Sequence, residues 1–347
     1  MKQKRLIKLN DNRKIGDLYR PYIVAELNTS HFGNISIAKK MILKAKESGC
    51  DCVKLQSWKA DTLYSKNFLD KNSISKKFFD KYSLDNTQLK KLAIYAKKIG
   101  ISFSSTPYTH EEVNFLVNNC NPAFIKVASM DLNNHFFLKF IAKKKIPVIL
   151  STGMGTIKEI ESAVRLLISN GQKNICVLHC VSLYPLDPKI ANLKNITMLR
   201  KKFQNIPIGY SDHSMGITLP ISSIALGACV IEKHFTLDNK KIGMDNHMAT
   251  EPVDMQKLVA ESLIAFNSLG TEKRSLSKKE FDQRRKMRRS IFTREVLKKN
   301  EKITIKKIIL RRPGEGIPPD KVSKILGKKT KKKIDKNSLL KISDIIL

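Results

Sequence analysis

The chain has 347 residues, 41% of them hydrophobic and 28% charged, enough apolar material for one large domain or two ordinary ones and too much for a disordered or fibrous chain. Its 6 cysteines are too few for a disulfide scaffold and form no C-x-x-C pair to suggest a zinc knuckle or redox site, which fits free, mostly buried thiols in a reducing cytoplasm. Met1 to Asn10 lacks the apolar run of a signal peptide, and Ile217 to Ile231 is too short, and too broken by Pro220 and serines, to span a bilayer.

The charge balance is 65 Lys/Arg against 31 Asp/Glu, a net of +34. Such an excess suits nucleic acid, a membrane surface or an anionic small substrate. Half of it lies in residues 271–347, which hold 26 basic and 9 acidic residues, so this tail is a separate object.

In chain order, the first 270 positions repeat one unit: a short apolar run, a polar turn, then an amphipathic helical stretch. The runs begin near Tyr22, Cys50, Ile101, Phe124, Pro147, Ile175, Pro207 and Val230. Helical sequence follows, for example at Ala38 to Ser48, Thr87 to Lys98, Ile157 to Asn170, and Asp254 to Leu269, which Gly270 closes. Strands that are apolar along their whole length belong to parallel sheets covered on both faces. Eight strand-helix units predict an α/β fold, a TIM (β/α)8 barrel over residues 1–270. A doubly wound sheet is the alternative, but no G-x-G-x-x-G follows the first strand. The surplus between the second and third strands, about Trp58 to Asn86, is expected to border the carboxyl mouth of the barrel. Residues 271–290 read as a basic linker, and residues 291–347, with Pro313-Gly314, Gly316 and Pro318-Pro319, as a small β-rich domain.

Catalytic groups of such barrels come from the carboxyl ends of the strands. Polar residues recur at all eight predicted ends, which marks a lined site more than satisfied core polar groups. Lys54, Lys126, Ser129, Ser151 and Ser211 offer two ammonium groups and three hydroxyls, a set that suits a phosphate, although a buried lysine is commonly paired with a carboxylate. His213 and His234 end adjacent strands and could supply two ligands of a divalent metal, with a purely structural role as the rival reading. Glu26, Glu232 and Asp245 add oxygen ligands or a general acid/base. His179 and His247 are weaker candidates, and His110 and His135 read as surface or cap residues. Cys180 and His179, adjacent on one strand, point to opposite faces and make no nucleophile pair.

The segments AELNTSHFGN (25–34), VKLQ (53–56), SSTPY (104–108), IKVASMDL (125–132), LSTGMG (150–155), LHCVSLYP (178–185), GYSDHS (209–214), EKHFTLD (232–238) and RRPGEGI (311–317) together resemble the sialic acid synthase family, from about residue 22 to the C-terminus. The resemblance implies a TIM barrel followed by an antifreeze-like (SAF) domain. It also implies condensation of phosphoenolpyruvate with an N-acetylated hexosamine and water to give a nine-carbon 3-deoxy-2-keto acid and phosphate. By matching position, Lys54, Lys126, Ser129, Ser151 and Ser211 would hold phosphoenolpyruvate, and His213 and His234 would bind Mn²⁺ or Mg²⁺. Glu26, Gln56, Tyr184 and Asp245 would handle the sugar, with Glu232 near the reacting carbonyl. Arg312 would reach the partner subunit's barrel in a domain-swapped homodimer. Ser30-His31, Asp245-Asn246 and Val181 depart from the family's pattern where the acceptor would lie. N-acetylmannosamine, giving N-acetylneuraminate, is the first expectation for the acceptor. A bacillosamine-derived hexose leading to legionaminate or pseudaminate is the second.

Three rival functions are weaker. Specific nucleic-acid binding would want aromatics among the basic residues, and none follows Phe292 despite the KKTKKK run at Lys328 to Lys333. A phosphosugar 3-deoxy-ulosonate synthase would need a second basic cluster, for which Arg311-Arg312 and the connector are the obvious spare. A catalytically silent barrel used as a binding module is the third. The chain is therefore expected to be a cytoplasmic enzyme with no membrane partner.

Overall fold

The computed structural model describes residues 5–346, and the chain separates into two compact units, 1–270 and 271–347. In the first, a short antiparallel hairpin of β1 (Leu6–Lys8) and β2 (Lys14–Gly16) precedes a closed parallel barrel of eight strands. These are β3 (Tyr22–Glu26), β4 (Cys52–Ser57), β5 (Ser102–Pro107), β6 (Ile125–Val127), β7 (Val148–Ser151), β8 (Ile175–Cys180), β9 (Ile208–Asp212) and β10 (Val230–His234). Closure comes from β10 pairing with β3. The eight expected runs are the eight staves, so the barrel replaces the doubly wound alternative.

Alternation along each strand divides the apolar residues into two cores. Ile23, Val53, Val127, Leu150, Val177 and Ile231 face outward and meet helices such as Ile35–Glu47, Asn86–Ile99 and Ile157–Ser169. Tyr22, Val24, Cys52, Phe124, Ile149 and Leu178 face inward, where Ile7, Leu9 and Ile15 of the hairpin join them. The amino end of the barrel is thus packed solid. Parallel strands all deliver their carboxyl ends to the opposite mouth, so the inward positions there are free to be polar.

Between β4 and β5 the surplus sequence folds into three short helices, Ala60–Leu63, Lys66–Lys71 and Ser73–Tyr82. Trp58, Ala60, Leu69 and Phe79 bury one another there, so the insertion carries its own small core. The six cysteines are all free and buried.

The second unit pairs β11 (Ser290–Thr293) with β12 (Ile308–Arg311) and β13 (Lys329–Thr330) with β14 (Ile345–Ile346) around Ile291, Leu297, Ile303, Ile317 and Leu340. The basic connector is no featureless tether: Ser277 caps a helix over Lys278–Met287, and the Arg285 carbonyl accepts from Gly314 N at 2.7 Å. The helix ends in Arg284, Arg285 and Lys286, the sign of charge its C-terminal dipole favours. Among the described residues no helix is long and apolar enough to cross a membrane.

Gly209 marks how tightly the barrel is packed. A Cβ there would stand 2.5 Å from Leu178 Cδ2 and 2.6 Å from the Val230 carbonyl oxygen. Gly209→Ala is expected to lower stability by about 1–3 kcal/mol through overpacking, measured as a reduced urea midpoint with an unchanged slope.

Candidate active site

Strand register builds the site. His234 pairs with Glu26, Glu26 with Lys54 and Lys54 with Ser104, placing an imidazole, a carboxylate and an ammonium at one level across three neighbouring strands. One residue pair lower, Glu232 lies beside Ser211. These inward side chains open into a cavity of about 360 Å³ at the carboxyl mouth. All twelve barrel residues that the sequence put forward line it, from Glu26 on β3 to Asp245 beyond β10. Arg312 lies in the second unit, exposed, just past β12.

Lys54 and Lys126 are not free cations. Lys54 Nζ contacts Glu26 Oε2 and donates to Thr106 Oγ1 at 3.0 Å, and Glu232 Oε1 lies 3.7 Å from both Lys54 Nζ and Lys126 Nζ. The pairing with carboxylates that is common for a buried lysine holds for both: two ammonium groups share two carboxylates. The reason is desolvation, since all four side chains are at most 7% exposed and a lone charge there would be prohibitive. Burial pulls Lys126 below its ordinary range and pushes Glu26 above its own. Glu232 also suffers burial, but Lys126 and Lys54 together hold it below the usual carboxylate range.

Hydroxyls surround this quartet. Lys126 Nζ donates to Ser151 Oγ at 2.6 Å, and Ser211 Oγ donates to Glu232 Oε1 at 3.1 Å. Ser129 Oγ accepts from Gly153 N at 2.9 Å, in a cradle that only glycine leaves open: a Cβ at Gly153 would stand 2.1 Å from Ser182 Oγ and 2.8 Å from Ser129 Oγ.

The imidazoles of His213 and His234 meet edge to face with centroids 5.4 Å apart, and the Tyr184 ring lies tilted against His213 with centroids 4.1 Å apart. His213 Nδ1 sits 2.8 Å from the Val181 carbonyl, which as an acceptor fixes N–H at Nδ1 and leaves Nε2 a lone pair. Because a main-chain oxygen makes this contact, the side chain at Val181 is free to vary. Burial lowers both imidazoles below their ordinary pKa, keeping them neutral. Asp245 Oδ2 is 3.9 Å from His234 Nδ1 and accepts from Asn28 Nδ2, while Glu232 Oε2 has no hydrogen-bond partner among the described residues. Neutral nitrogen donors beside carboxylate oxygens suit a divalent cation. Among the described residues no group of three or more His, Cys, Asp or Glu is spaced to hold one alone.

His179 and Asp212, also near strand ends, turn outward. His179 Nε2 contacts the Ala191 carbonyl at 2.8 Å and its ring stacks on Tyr210; Asp212 is buried against Lys233 Nζ at 2.5 Å. His31 is buried in the loop after β3, accepting from Gly33 N, and Asn246 is tied to Thr236 Oγ1. His110 and His135 begin helices capped by Thr109 and Asn134. The sequence reading had not singled out Asn28, Tyr108, Trp58, Tyr64, Phe79 or Met244, which also line the cavity. Tyr108 lies inside the SSTPY motif and Trp58, Tyr64 and Phe79 inside the surplus after β4, so position alone marked them.

A parallel barrel whose carboxyl mouth gathers a compensated lysine-carboxylate quartet and two neutral imidazoles is the frame of an enzyme. The chain belongs to the NeuB family of sialic and related nonulosonic acid synthases: the NeuB family model matches residues 41–274 and the SAF domain model residues 288–346. It is 36% identical over 333 residues to N,N'-diacetyllegionaminic acid synthase of Legionella pneumophila, covering 92% of this chain and 93% of that protein. It is 33% identical over 336 residues to mouse N-acetylneuraminate-9-phosphate synthase, covering 93% and 92%. The crystal structure of N-acetylneuraminic acid synthetase from Leptospira borgpetersenii serovar Hardjo-bovis in complex with citrate aligns with a TM-score of 0.76 at 31% identity, covering 82% of this chain and 96% of that one.

Gly153→Ala tests the hydroxyl cradle. Displacing Ser129 breaks its hydrogen bond with Gly153 N, and the KM for phosphoenolpyruvate is expected to rise roughly tenfold with little change in thermal midpoint. An unchanged KM would show that the cradle holds no substrate group.

Proposed function

We propose that the protein condenses phosphoenolpyruvate with the open-chain aldehyde of an N-acetylated hexosamine, adding water and releasing phosphate to form a nonulosonic acid. The observation that carries this reading is the single cavity shared by the charged quartet and the two imidazoles. Lys54, Lys126, Ser129, Ser151 and Ser211 would hold the phosphate and carboxylate of phosphoenolpyruvate. The quartet as it stands is close to neutral, so an entering anion needs one carboxylate to turn away or take a proton. Glu26, raised by burial, is the one placed to take it, and Glu232 remains ionised between the lysines.

His213 and His234 would hold a divalent cation, Mn²⁺ or Mg²⁺, with Asp245 and Glu232 within the same cavity. A cation bound there would supply Lewis-acid polarisation of the acceptor carbonyl. The chain's own task is orientation: Tyr184 covers His213, and Glu26, Gln56 and Asp245 present acceptors and donors to the sugar. The lysines then stabilise charge on the departing phosphate. The family resemblance further assigns Arg312 of the partner subunit to the acceptor, in a domain-swapped homodimer.

For the acceptor, the cavity wall favours the second expectation over N-acetylmannosamine. Trp58, Leu63, Tyr64, Phe79, Met130 and Met154 add apolar lining to the cavity beside its charged groups, suited to a sugar that carries a methyl and a second acetamido group in place of hydroxyls. A 2,4-diacetamido-trideoxyhexose has those groups, and the reading is a legionaminate- or pseudaminate-type synthase.

Purified protein incubated with phosphoenolpyruvate, Mn²⁺ and a panel of N-acetylated hexoses is expected to release phosphate and give a product weighing acceptor plus the C3 keto-acid unit. Turnover should be faster with the diacetamido sugar than with N-acetylmannosamine. Chelation should abolish turnover and added Mn²⁺ restore it. Activity confined to phosphorylated sugars would end this reading.

A further inference from the structure

Tyr108 stands at the end of β5 and takes no part in the roles assigned above. Its hydroxyl donates to Gln56 Oε1 at 2.9 Å, and Gln56 Nε2 donates to Glu26 Oε1 at 3.3 Å. The polarity of this chain follows from elementary chemistry. An ionised or hydrogen-bond-accepting carboxylate oxygen requires the amide nitrogen of Gln56 on its side, which turns the amide oxygen to Tyr108, and a protonated phenol can then only donate. Glu26 Oε1 also accepts from Asn28 N at 2.9 Å, and Oε2 contacts Lys54. Glu26 is thus held from three directions, one of them through Tyr108.

The other end of Tyr108 is anchored as firmly. Its backbone N–H donates to Glu112 Oε2 at 2.7 Å, and Glu112 Oε1 accepts from Thr62 Oγ1 at 3.3 Å. Thr62 belongs to the first helix of the insertion that supplies the apolar wall. A continuous chain of hydrogen bonds therefore runs from the insertion through Glu112, the Tyr108 residue and Gln56 to Glu26.

We propose that Tyr108 is a positioning residue for the reaction: its hydroxyl fixes the Gln56 amide so that one N–H secures Glu26 and the other is available to the acceptor sugar. Without that hydroxyl the amide is free to rotate, and both Glu26 and the acceptor lose a fixed partner. A phenylalanine in this place would fill the same volume and leave the packing intact. The inference rests on the acceptor assignment proposed above.

The test is Tyr108→Phe in the full-length chain, run beside the wild type with the sugar that the wild type turns over best. One lost neutral hydrogen bond is expected to raise the acceptor KM about fivefold and to lower kcat severalfold, leaving the KM for phosphoenolpyruvate and the thermal midpoint unchanged. Combined with Gln56→Ala, the tyrosine change should add nothing to the loss caused by Gln56→Ala alone. Additive losses, wild-type kinetics, or an equal fall in phosphoenolpyruvate affinity would overturn the proposal. A wild type inactive on every sugar refutes the acceptor assignment instead. In that case a crystal structure of Tyr108→Phe decides alone: Gln56 turned away from Glu26 supports the positioning role, and Gln56 unmoved ends it.

Discussion

Two ammonium groups and two carboxylates buried at the mouth of the barrel are the constraint on which the remainder rests. Removing any one of Glu26, Lys54, Lys126 or Glu232 would leave one uncompensated charge among side chains at most 7% exposed, at a cost of several kcal/mol. The arrangement exists only because the strands close in one register, with Glu26 level with Lys54 and Glu232 level with Ser211. A slip of one residue would carry every one of these groups to the helix-facing side. The apolar plug below, built from Ile7, Leu9 and Ile15 with the lower strand residues, keeps that register by packing the other end.

Above the quartet the cavity has two characters. Its floor is charged and hydroxylated, fit for a small anion, and one wall is aromatic and aliphatic. Trp58, Leu63, Tyr64 and Phe79 of that wall come from the insertion after β4, whose helices are short and which holds together because Trp58, Leu69 and Phe79 pack on one another. Trp58 and Phe79 meet edge to face with centroids 5.0 Å apart, a favourable geometry for two rings. Glu112 ties this element to the end of β5. Floor and wall are thus joined by hydrogen bonds through Glu112 and Tyr108.

The large positive charge has a different standing. Most of the lysines are exposed and solvated, and the helix Lys278–Met287 buries none of its residues. Within the buried quartet the balance is even, two ammonium groups against two carboxylates, and Asp245 adds a further carboxylate to the same cavity. Net charge therefore speaks for solubility and long-range attraction of anions, and the chemistry is set by the compensated interior.

The eight strands and the strand-end positions of Glu26, Lys54, Gln56, Lys126, His213 and His234 were legible in the sequence, because an apolar run and the polar residue that ends it are local features. So was the placement of the surplus after β4, from length alone. Tertiary structure alone decided that the lysines meet carboxylates, that His179 and Asp212 face the helices, that Val181 contributes its carbonyl, and that Tyr108 grips Gln56. Each of these depends on side chains from distant strands arriving at one point, and their mutual distances are fixed by barrel closure, which no local pattern encodes.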